Sequence, residues 1–402
     1  MSQKIVTIKQ ERADKIVHNR HPWIFSGAVK NAAGNICAGD IVSVMDEKGK
    51  IFAVAAYNPA SDITLRVISW SPGEHIDDAW FSNNIKTVAA LKEQLLEIDG
   101  LPEEKKNYRL IYSESDNIPG LIIDRFGTVF VIQLQTFFAD KNRELWVKII
   151  KELWPPSGIF EKSDVDVRKK EGLSDLPSGL LYGDLKNGCL MEEDGLKIKI
   201  DIPHGQKTGF FLDLRQARRR VEHWCKISKI GYLQNYFGYT GSFNLYAARS
   251  GVEKIEHIDS SAAANVIAEE NCRINGFEKN VKIITSEAFD CLLQTKNETV
   301  DAVILDPPSF VKQKEKIANA VEGYQRLNAL AMRKLKPGGL LFSFCCSSYI
   351  GEEDFCRILF KASAVSGSRI RIIEKIGHDI DHTYHLNFPE GRYLQGWILR
   401  KE

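Results

Sequence analysis

From about residue 191 onward, strand-length apolar runs alternate with helical ones five times. "IGYLQNYF" is followed by "GSFNLYAARSG", "KIEHID" by "SAAANVIAEENCRINGF", "VKIITSE" by a short helical run, "VDAVILDPP" by "EGYQRLNALAMRKL" and "GGLLFSFCC" by "EEDFCRILFKASAV". Parallel strands cannot be joined by tight turns, so each crossover takes a helix, and repeated right-handed crossovers give a doubly wound, mostly parallel sheet with helices on both faces. The expected class is therefore α/β. Ligands of such sheets lie outside the carboxyl ends of the strands. That selects five places to read: "FGYTGS" after the first strand, Asp259 ending the second, "SEAF", "DPPSF" and "CCSS".

Upstream the pattern differs. Residues 1–75 carry short strands, "KIVTIK", "DIVSVMDEKGKIFAVAAYN" and "DITLRVISW", with "DEKGK" as a hairpin turn, which predicts a small barrel-like β domain. Within it, "RHPWIFSGAV" sets Arg20 and His21 before a Pro-Trp pair, a rim where a base or sugar-phosphate can lie on Trp23 beside cationic groups. Trp23 as core filler is the plainer alternative. Residues 76–190 start with helical "SNNIKTVAALKEQLLEI", continue through "GLIID" and "TVFVIQLQT" around a hairpin at "RFG", and add the amphipathic "KNRELWVKIIKELW". This predicts a compact α+β unit. Its acids Asp116, Asp124, Asp164 and Asp166 read as turn residues.

Composition removes several classes. At 402 residues, 44% hydrophobic and 27% charged, the chain can bury several cores. The opening "MSQKIVTIKQERADK" has no signal-peptide core, and no run approaches the roughly 18 apolar residues of a membrane span, so the expectation is a cytoplasmic protein with no membrane partner. Eight cysteines without paired C-x-x-C knuckles predict reduced thiols. A net charge of +1 gives no global attraction to nucleic acid, which leaves local basic clusters: Lys4 to His21 at the N-terminus, Arg168 to Lys170, and Arg215 with Arg218 to Arg220. Each also reads as an ordinary solvated face.

The five loops describe a nucleoside cofactor. Gly238 and Gly241 allow a tight turn and close approach to a ligand, and Asp259, 18 residues after Gly241, is placed to accept from ribose hydroxyls. G-x-x-G lacks the third glycine of the dinucleotide fingerprint, which disfavours a pyrophosphate-bound NAD. S-adenosylmethionine has no phosphates and fits better. Its expected contacts are Phe237, Tyr239, Thr240 and Gly241 in the first loop, Asp259 with Ser260, Glu287 with the Ala288 amide for the adenine, and Asp306 with Pro307. In "LDPPSF" two prolines stiffen the rim, holding Asp306 near Pro308 and Phe310, a grip for a flat nucleobase.

The strings "HPWIFSGAV", "ESDNIPGLIIDRFG", "SDVDVRKKEG", "HGQKTGFFLDLRQ", "NYFGYTGSF", "LDPPSF" and "FCCSS" resemble, in order and over nearly the whole chain, the bacterial ribosomal RNA large subunit methyltransferase I family. The resemblance implies S-adenosylmethionine-dependent methylation of a 23S rRNA cytosine at C5. It also implies an N-terminal PUA domain (1–75), a small α+β middle domain (76–190) and a Rossmann-like methyltransferase domain (191–402). It adds Lys207, Thr208, Phe210 and Asp213 to the cofactor wall. The implied substrate is ribosomal RNA, naked or in an assembly intermediate, with Arg20, His21, Trp23, Pro308 and Phe310 as its expected contacts; a homodimer is the candidate assembly.

Cytosine C5 is too electron-poor to attack a methyl sulfonium directly. A thiolate adding to C6 makes C5 nucleophilic, and an acid near N3 relieves the accumulating charge. Asp306 is the expected acid. Adjacent strand residues point to opposite faces, so Cys345 and Cys346 cannot share the task; comparison with the family's serine-cysteine-serine motif selects Cys346. Many RNA cytosine-C5 enzymes carry a second cysteine after the motif proline, where this chain has Ser309, so product release proceeds otherwise. No metal is expected, although His378, His382 and His385 are closely spaced. Two rivals stand: a methyltransferase acting on a guanine or adenine nitrogen, and a non-catalytic RNA-binding assembly factor.

Overall fold

The structure is a computed structural model that describes residues 4–174, 178–185, 188–310, 317–347 and 349–402. Two compact units form: Met1–Met191 with Asp201–Phe210 and Ile380–Gly391, and Glu192–Ile200 with Phe211–Asp379 and Arg392–Glu402.

The first unit holds two sheets. The six-stranded one contains β1 (Ile5–Ile8), β2 (Trp23–Ile24), β3 (Val29–Ala33), β4 (Ile41–Asp46), β5 (Ile51–Tyr57) and β6 (Leu65–Ser69), in the order β2-β6-β5-β4-β1-β3, with α1 (Gln10–Asn19) after its first strand. The β4–β5 hairpin is closed as the sequence predicts, by Asp46 Oδ1 accepting from the Lys48 and Lys50 amides. Helix α2 (Asp78–Leu95), capped by the Asp77 side chain on the Trp80 amide, leads into the second sheet. Its strands are β7 (Asn107–Tyr112), β8 (Leu121–Phe126), β9 (Val129–Leu134), β10 (Gly158–Glu161) and β11 (Gly179–Gly183), ordered β11-β10-β9-β8-β7. Between β9 and β10 run α3 (Phe137–Lys141) and α4 (Arg143–Leu153); α5 (Val167–Lys170) follows β10. Asp124, expected in a turn, lies inside β8, fully buried and paired with Arg109. Asp116 is likewise buried, accepting from Lys92 at 2.6 Å. These acids hold the middle of the chain together.

The two-stranded ribbon β12 (Cys189–Glu193) and β13 (Leu196–Ile200) precedes the second unit's sheet. That sheet comprises β14 (Tyr232–Tyr236), β15 (Lys254–Asp259), β16 (Val281–Thr285), β17 (Val300–Leu305), β18 (Leu335–Cys346), β19 (Ile370–Ile376) and β20 (Leu394–Lys401). The order is β16-β15-β14-β17-β18-β20-β19, with β14 to β18 parallel and β20 antiparallel to both neighbours. The α/β expectation holds, with this antiparallel final strand added. Helices α6 (Arg215–Ile227), α7 (Ser242–Arg249), α8 (Ala262–Ile274), α9 (Ala288–Gln294), α10 (Ile317–Lys334) and α11 (Glu352–Ser366) supply the crossovers and the cover. The chain steps outward from β14 through β15 to β16, then crosses back to β17. Strands β14 and β17 therefore flank the switch point, where a crevice opens at the carboxyl ends.

The third basic cluster is not a free cationic surface. Arg215 and Arg218 are buried and both bind Glu193, while Arg219 pairs with Asp194 and Arg220 with Glu374. The pattern of α6 explains it: Ala217, Val221 and Cys225 bury one stripe, and the arginines beside that stripe must find carboxylates. Arg168 is buried too, on the Leu134 carbonyl and Asp140. Burial would raise the Glu193 carboxyl, but Arg218 and Arg215 outweigh it and hold it below the usual carboxylate range. Replacing Glu193 by Gln leaves two buried guanidinium groups short of their counter-charge, and we expect a loss of about 3–5 kcal/mol. Urea unfolding of the variant measures it; a loss under about 1 kcal/mol, the value of an exposed pair, would contradict the assignment.

Candidate active site at the carboxyl ends of the sheet

The loop after β14 shows how the glycines function. The left-handed positions are Phe237 (φ 59°), Tyr239 (φ 50°) and Gly241 (φ 78°), whereas Gly238 has no positive φ. Gly238 is there for space, because a Cβ at that position would stand 2.3 Å from the His257 ring. Two non-glycine residues in the left-handed region cost roughly 1–2 kcal/mol each. Such strain is held where the surroundings over-determine it. Here Asp259 Oδ2 accepts from the Tyr239 amide at 2.8 Å and Oδ1 from the Ser261 amide at 2.8 Å, so the end of β15 braces the loop. Beneath it, His257 bonds to Asn244 at 2.9 Å and Asn265 at 3.0 Å, and Asn235 bonds to Asn244 at 2.9 Å.

These residues fit an adenosyl ligand. The Thr240 hydroxyl is buried and has no hydrogen-bond partner among the described residues. The Asp259 carboxylate retains lone pairs beyond its two backbone contacts. Ser260 follows Asp259 directly, and Glu287 is exposed at the amino end of α9, ahead of buried Ala288. Asp213 is buried and accepts from the Tyr393 hydroxyl. Lys207, Thr208 and Phe210 fold with the first unit: Thr208 is buried with its hydroxyl on Asp124, and Phe210 is buried beside it in sequence.

Strand β18 runs past the last pairing of β17, Leu305 with Ser343, and stays paired with β20 through Cys345–Gln395 and Cys346–Leu394. Its side chains alternate without interruption. Leu341 and Cys345 enter one core; Phe342, Phe344 and Cys346 face the other. Cys345 is fully buried, and burial pushes its thiol up to about 12. Cys346 is half-buried, with Sγ 3.9 Å from Asp306 Oδ1. Pro307 is buried, Pro308 is exposed, and the Phe310 ring lies 4.5 Å from that of Tyr324. The structure thus brings Asp306 and Cys346 together on neighbouring parallel strands. Sequence reading missed Tyr324, whose only signal was its place one helical turn before Asn328.

In the first unit, Trp23 is half-buried. Its indole N–H donates to Glu114 at 2.8 Å, Arg66 lies over the ring, and His21 and Phe388 meet its edge. A cavity of about 530 Å³ opens beside it, lined by Arg12, Lys15, His21, Trp23 and Phe25 among others; Phe25 is 52% exposed. Arg20 is exposed on the same rim. Of the three histidines considered together, His382 is buried on Asp381 at 2.6 Å and His378 Nε2 accepts from the Tyr393 and Leu394 amides at 3.3 and 3.1 Å, while His385 is exposed. No cluster suited to a metal ion occurs among the described residues. No helix among them is long and apolar enough to cross a membrane.

Burial holds the His257 imidazole down to about 4, although the Asp259 charge and the Asn265 hydrogen bond pull the other way. An unfolded-chain histidine titrates near 6.5, so the stability this group contributes is complete above that value and erodes as pH falls toward 4. We expect a loss of about 2 kcal/mol between pH 7 and pH 5 from this group. Urea unfolding at both pH values, in the parent and in His257→Gln, isolates it; equal pH dependence in the two proteins would refute the assignment.

Comparison with known proteins completes the picture. A PUA-like domain family matches residues 6–70, and the S-adenosylmethionine-dependent methyltransferase family matches residues 173–381. The chain is 36% identical over 404 residues to ribosomal RNA large subunit methyltransferase I of Escherichia coli O157:H7, covering 100% of both, and equally to the protein of that name from Shigella boydii serotype 4. Among solved structures, SMU.776 complexed with SAH superposes with a TM-score of 0.81 at 18% identity over 100% of both chains. A Streptococcus mutans chain gives 0.80 at 18% over 98% of this chain and 99% of its own. These structural likenesses speak for the fold. The chain is an S-adenosylmethionine-dependent methyltransferase and belongs to the ribosomal RNA large subunit methyltransferase I family.

Proposed function

We propose that this protein methylates C5 of a cytosine in 23S ribosomal RNA, with Cys346 adding covalently to C6 of the base. The observation that carries the reading is the approach of Cys346 Sγ to the Asp306 carboxylate, 3.9 Å apart, at the rim where parallel-sheet ligands bind. We assign residues 1–75 to RNA binding, 76–190 to support and 191–402 to chemistry, in a cytoplasmic enzyme.

The residues divide the work. The loop 237–241, Asp259 and Ser260 would hold the adenosyl ribose, Glu287 and the Ala288 amide would read the adenine, and Asp213 would complete the cofactor's wall within the second unit. S-adenosylmethionine supplies an electrophilic methyl group. Asp306 accepts the Cys346 thiol proton, and the thiolate adds to C6, pushing the C5–C6 electron pair onto the ring. The newly protonated Asp306 then donates to N3, where charge accumulates. Pro308 and Phe310 hold the ring flat. C5 takes the methyl group as the sulfonium–methyl bond breaks and leaves its electron pair on that sulfur; N3 returns its proton to Asp306, the C5 proton leaves to a base, and the C6–sulfur bond breaks, with the departing thiolate recovering its proton from Asp306. A base within a helical RNA must first leave its stack, at a cost of a few kcal/mol.

Replacing Cys346 by Ala is expected to lower turnover about a thousand-fold or more while S-adenosylmethionine affinity is retained. Mass mapping of ribosomal RNA from cells carrying parent or variant locates the methyl group. Turnover within about ten-fold of the parent would instead favour direct attack by a guanine or adenine nitrogen, which needs no thiolate. Absence of cofactor binding in calorimetry would favour the assembly-factor reading.

The RNA-binding surface we assign is the rim of Arg20, His21 and Trp23 with the adjoining cavity. Phe25→Ala removes an exposed ring without touching a buried polar group. It is expected to weaken RNA binding by about 1–3 kcal/mol, the value of one stacked base, with cofactor affinity unchanged. Fluorescence titration with a labelled rRNA fragment measures this; parent-like affinity would remove the cavity from the RNA path.

A further inference from the structure

The chemistry proposed above leaves Cys345 unused, together with the helix that covers it. Beyond Ser343, β18 has lost its partner β17 and is paired on one side only. A strand end so placed frays unless something else holds it. Helix α10 faces it. Tyr324 and Asn328, four residues apart, lie on one face of that helix and meet alternate residues of β18. Asn328 Oδ1 accepts from the Ser343 hydroxyl at 2.6 Å, and Asn328 Nδ2 donates to the Tyr324 carbonyl at 2.8 Å. The Tyr324 hydroxyl is fully buried and has no hydrogen-bond partner among the described residues; its ring shares one core with Cys345, and the Cys345 thiol and the Phe310 amide are its polar neighbours. The Tyr324 ring also carries Phe310, and Gly323 clears the way: a Cβ there would stand 3.2 Å from that ring.

We propose that Tyr324, with Asn328 and Cys345, forms a clamp that fixes the unpaired end of β18 against the Asp306–Phe310 loop and so holds Cys346 Sγ at its working distance from the carboxylate. Tyr324 and Cys345 are positioning residues. The inference rests on reading Cys346 as the nucleophile, and the test separates the two. In the full-length enzyme, the rate at which iodoacetamide alkylates Cys346 is followed by peptide-resolved mass spectrometry. Tyr324→Phe, which keeps the ring, and Cys345→Ala are each expected to change it by about five-fold or more, and the double variant by no more than either alone. On RNA the same variants lose about ten-fold or more in kcat, with KM and cofactor affinity within about two-fold of the parent. Cys345→Ser, which keeps a small polar side chain beside the Tyr324 hydroxyl, recovers most of the rate. Parent-like alkylation in both single variants, or additive effects in the double variant, overturns the clamp. Turnover by Cys346→Ala overturns the covalent reading instead, and leaves the alkylation result standing.

Discussion

The pleat of a single strand decides which sulfur faces which core. Because β18 alternates strictly to its last residue, Cys345 goes into one core and Cys346 toward the other. Burial makes the first thiol a poor acid, held up to about 12, and thus a poor source of thiolate near neutral pH. The second is half-buried beside a carboxylate that can take its proton. Two identical side chains joined by one peptide bond have been given opposite fates by strand geometry alone. Antiparallel β20 matters here, since it is the only strand still pairing with β18 at that depth among the described residues. Without it the alternation would have no ladder to enforce it beyond Ser343.

The loop after β14 meets a related demand by different means. It must turn within five residues and leave its crevice side open, and it does so with left-handed Phe237 and Tyr239 rather than with glycine alone. That conformation persists because Asp259 receives the Tyr239 amide and because the His257–Asn244–Asn265 network fills the volume below. Gly238 is required by that network, since its missing Cβ is the space the imidazole occupies. The polar core under the loop therefore has a local purpose: it converts a costly backbone shape into the low-energy one.

Much of this was legible in the sequence. The βα alternation announces the parallel sheet, and the carboxyl-end rule selects the loops at Gly241, Asp259, Asp306 and Cys346 without further knowledge. What stayed hidden depended on partners distant along the chain. Asp124 looks like a turn acid until Arg109, 15 residues earlier, is found across the β7–β8 pair. Arg215 and Arg218 look like a nucleic-acid patch until Glu193 is found beneath them. Gly238 reads as a turn glycine because periodicity reports φ and ψ preferences but not what stands against a missing side chain. The Tyr324–Cys345 contact joins a helix to a strand, and neither local pattern carries any trace of it.

The arginines that fold inward also set how the protein can meet RNA. A chain of net charge +1 has little field to spare, and Arg168, Arg215 and Arg218 are each matched to a carboxylate in the interior. Their charge is spent on holding the fold, where a partner within hydrogen-bond distance outweighs any attraction across solvent. At the N-terminal rim Lys15 and Arg20 are exposed, and Lys15 lines the cavity together with Trp23 and Phe25. On the proposed assignment of this rim to RNA, recognition would depend on stacking and shape more than on phosphate count and would select unpaired, splayed nucleotides over uniform duplex. A methyltransferase of the proposed kind, acting on one base inside a large folded RNA, would need that preference, because a strong general field would hold it equally well everywhere.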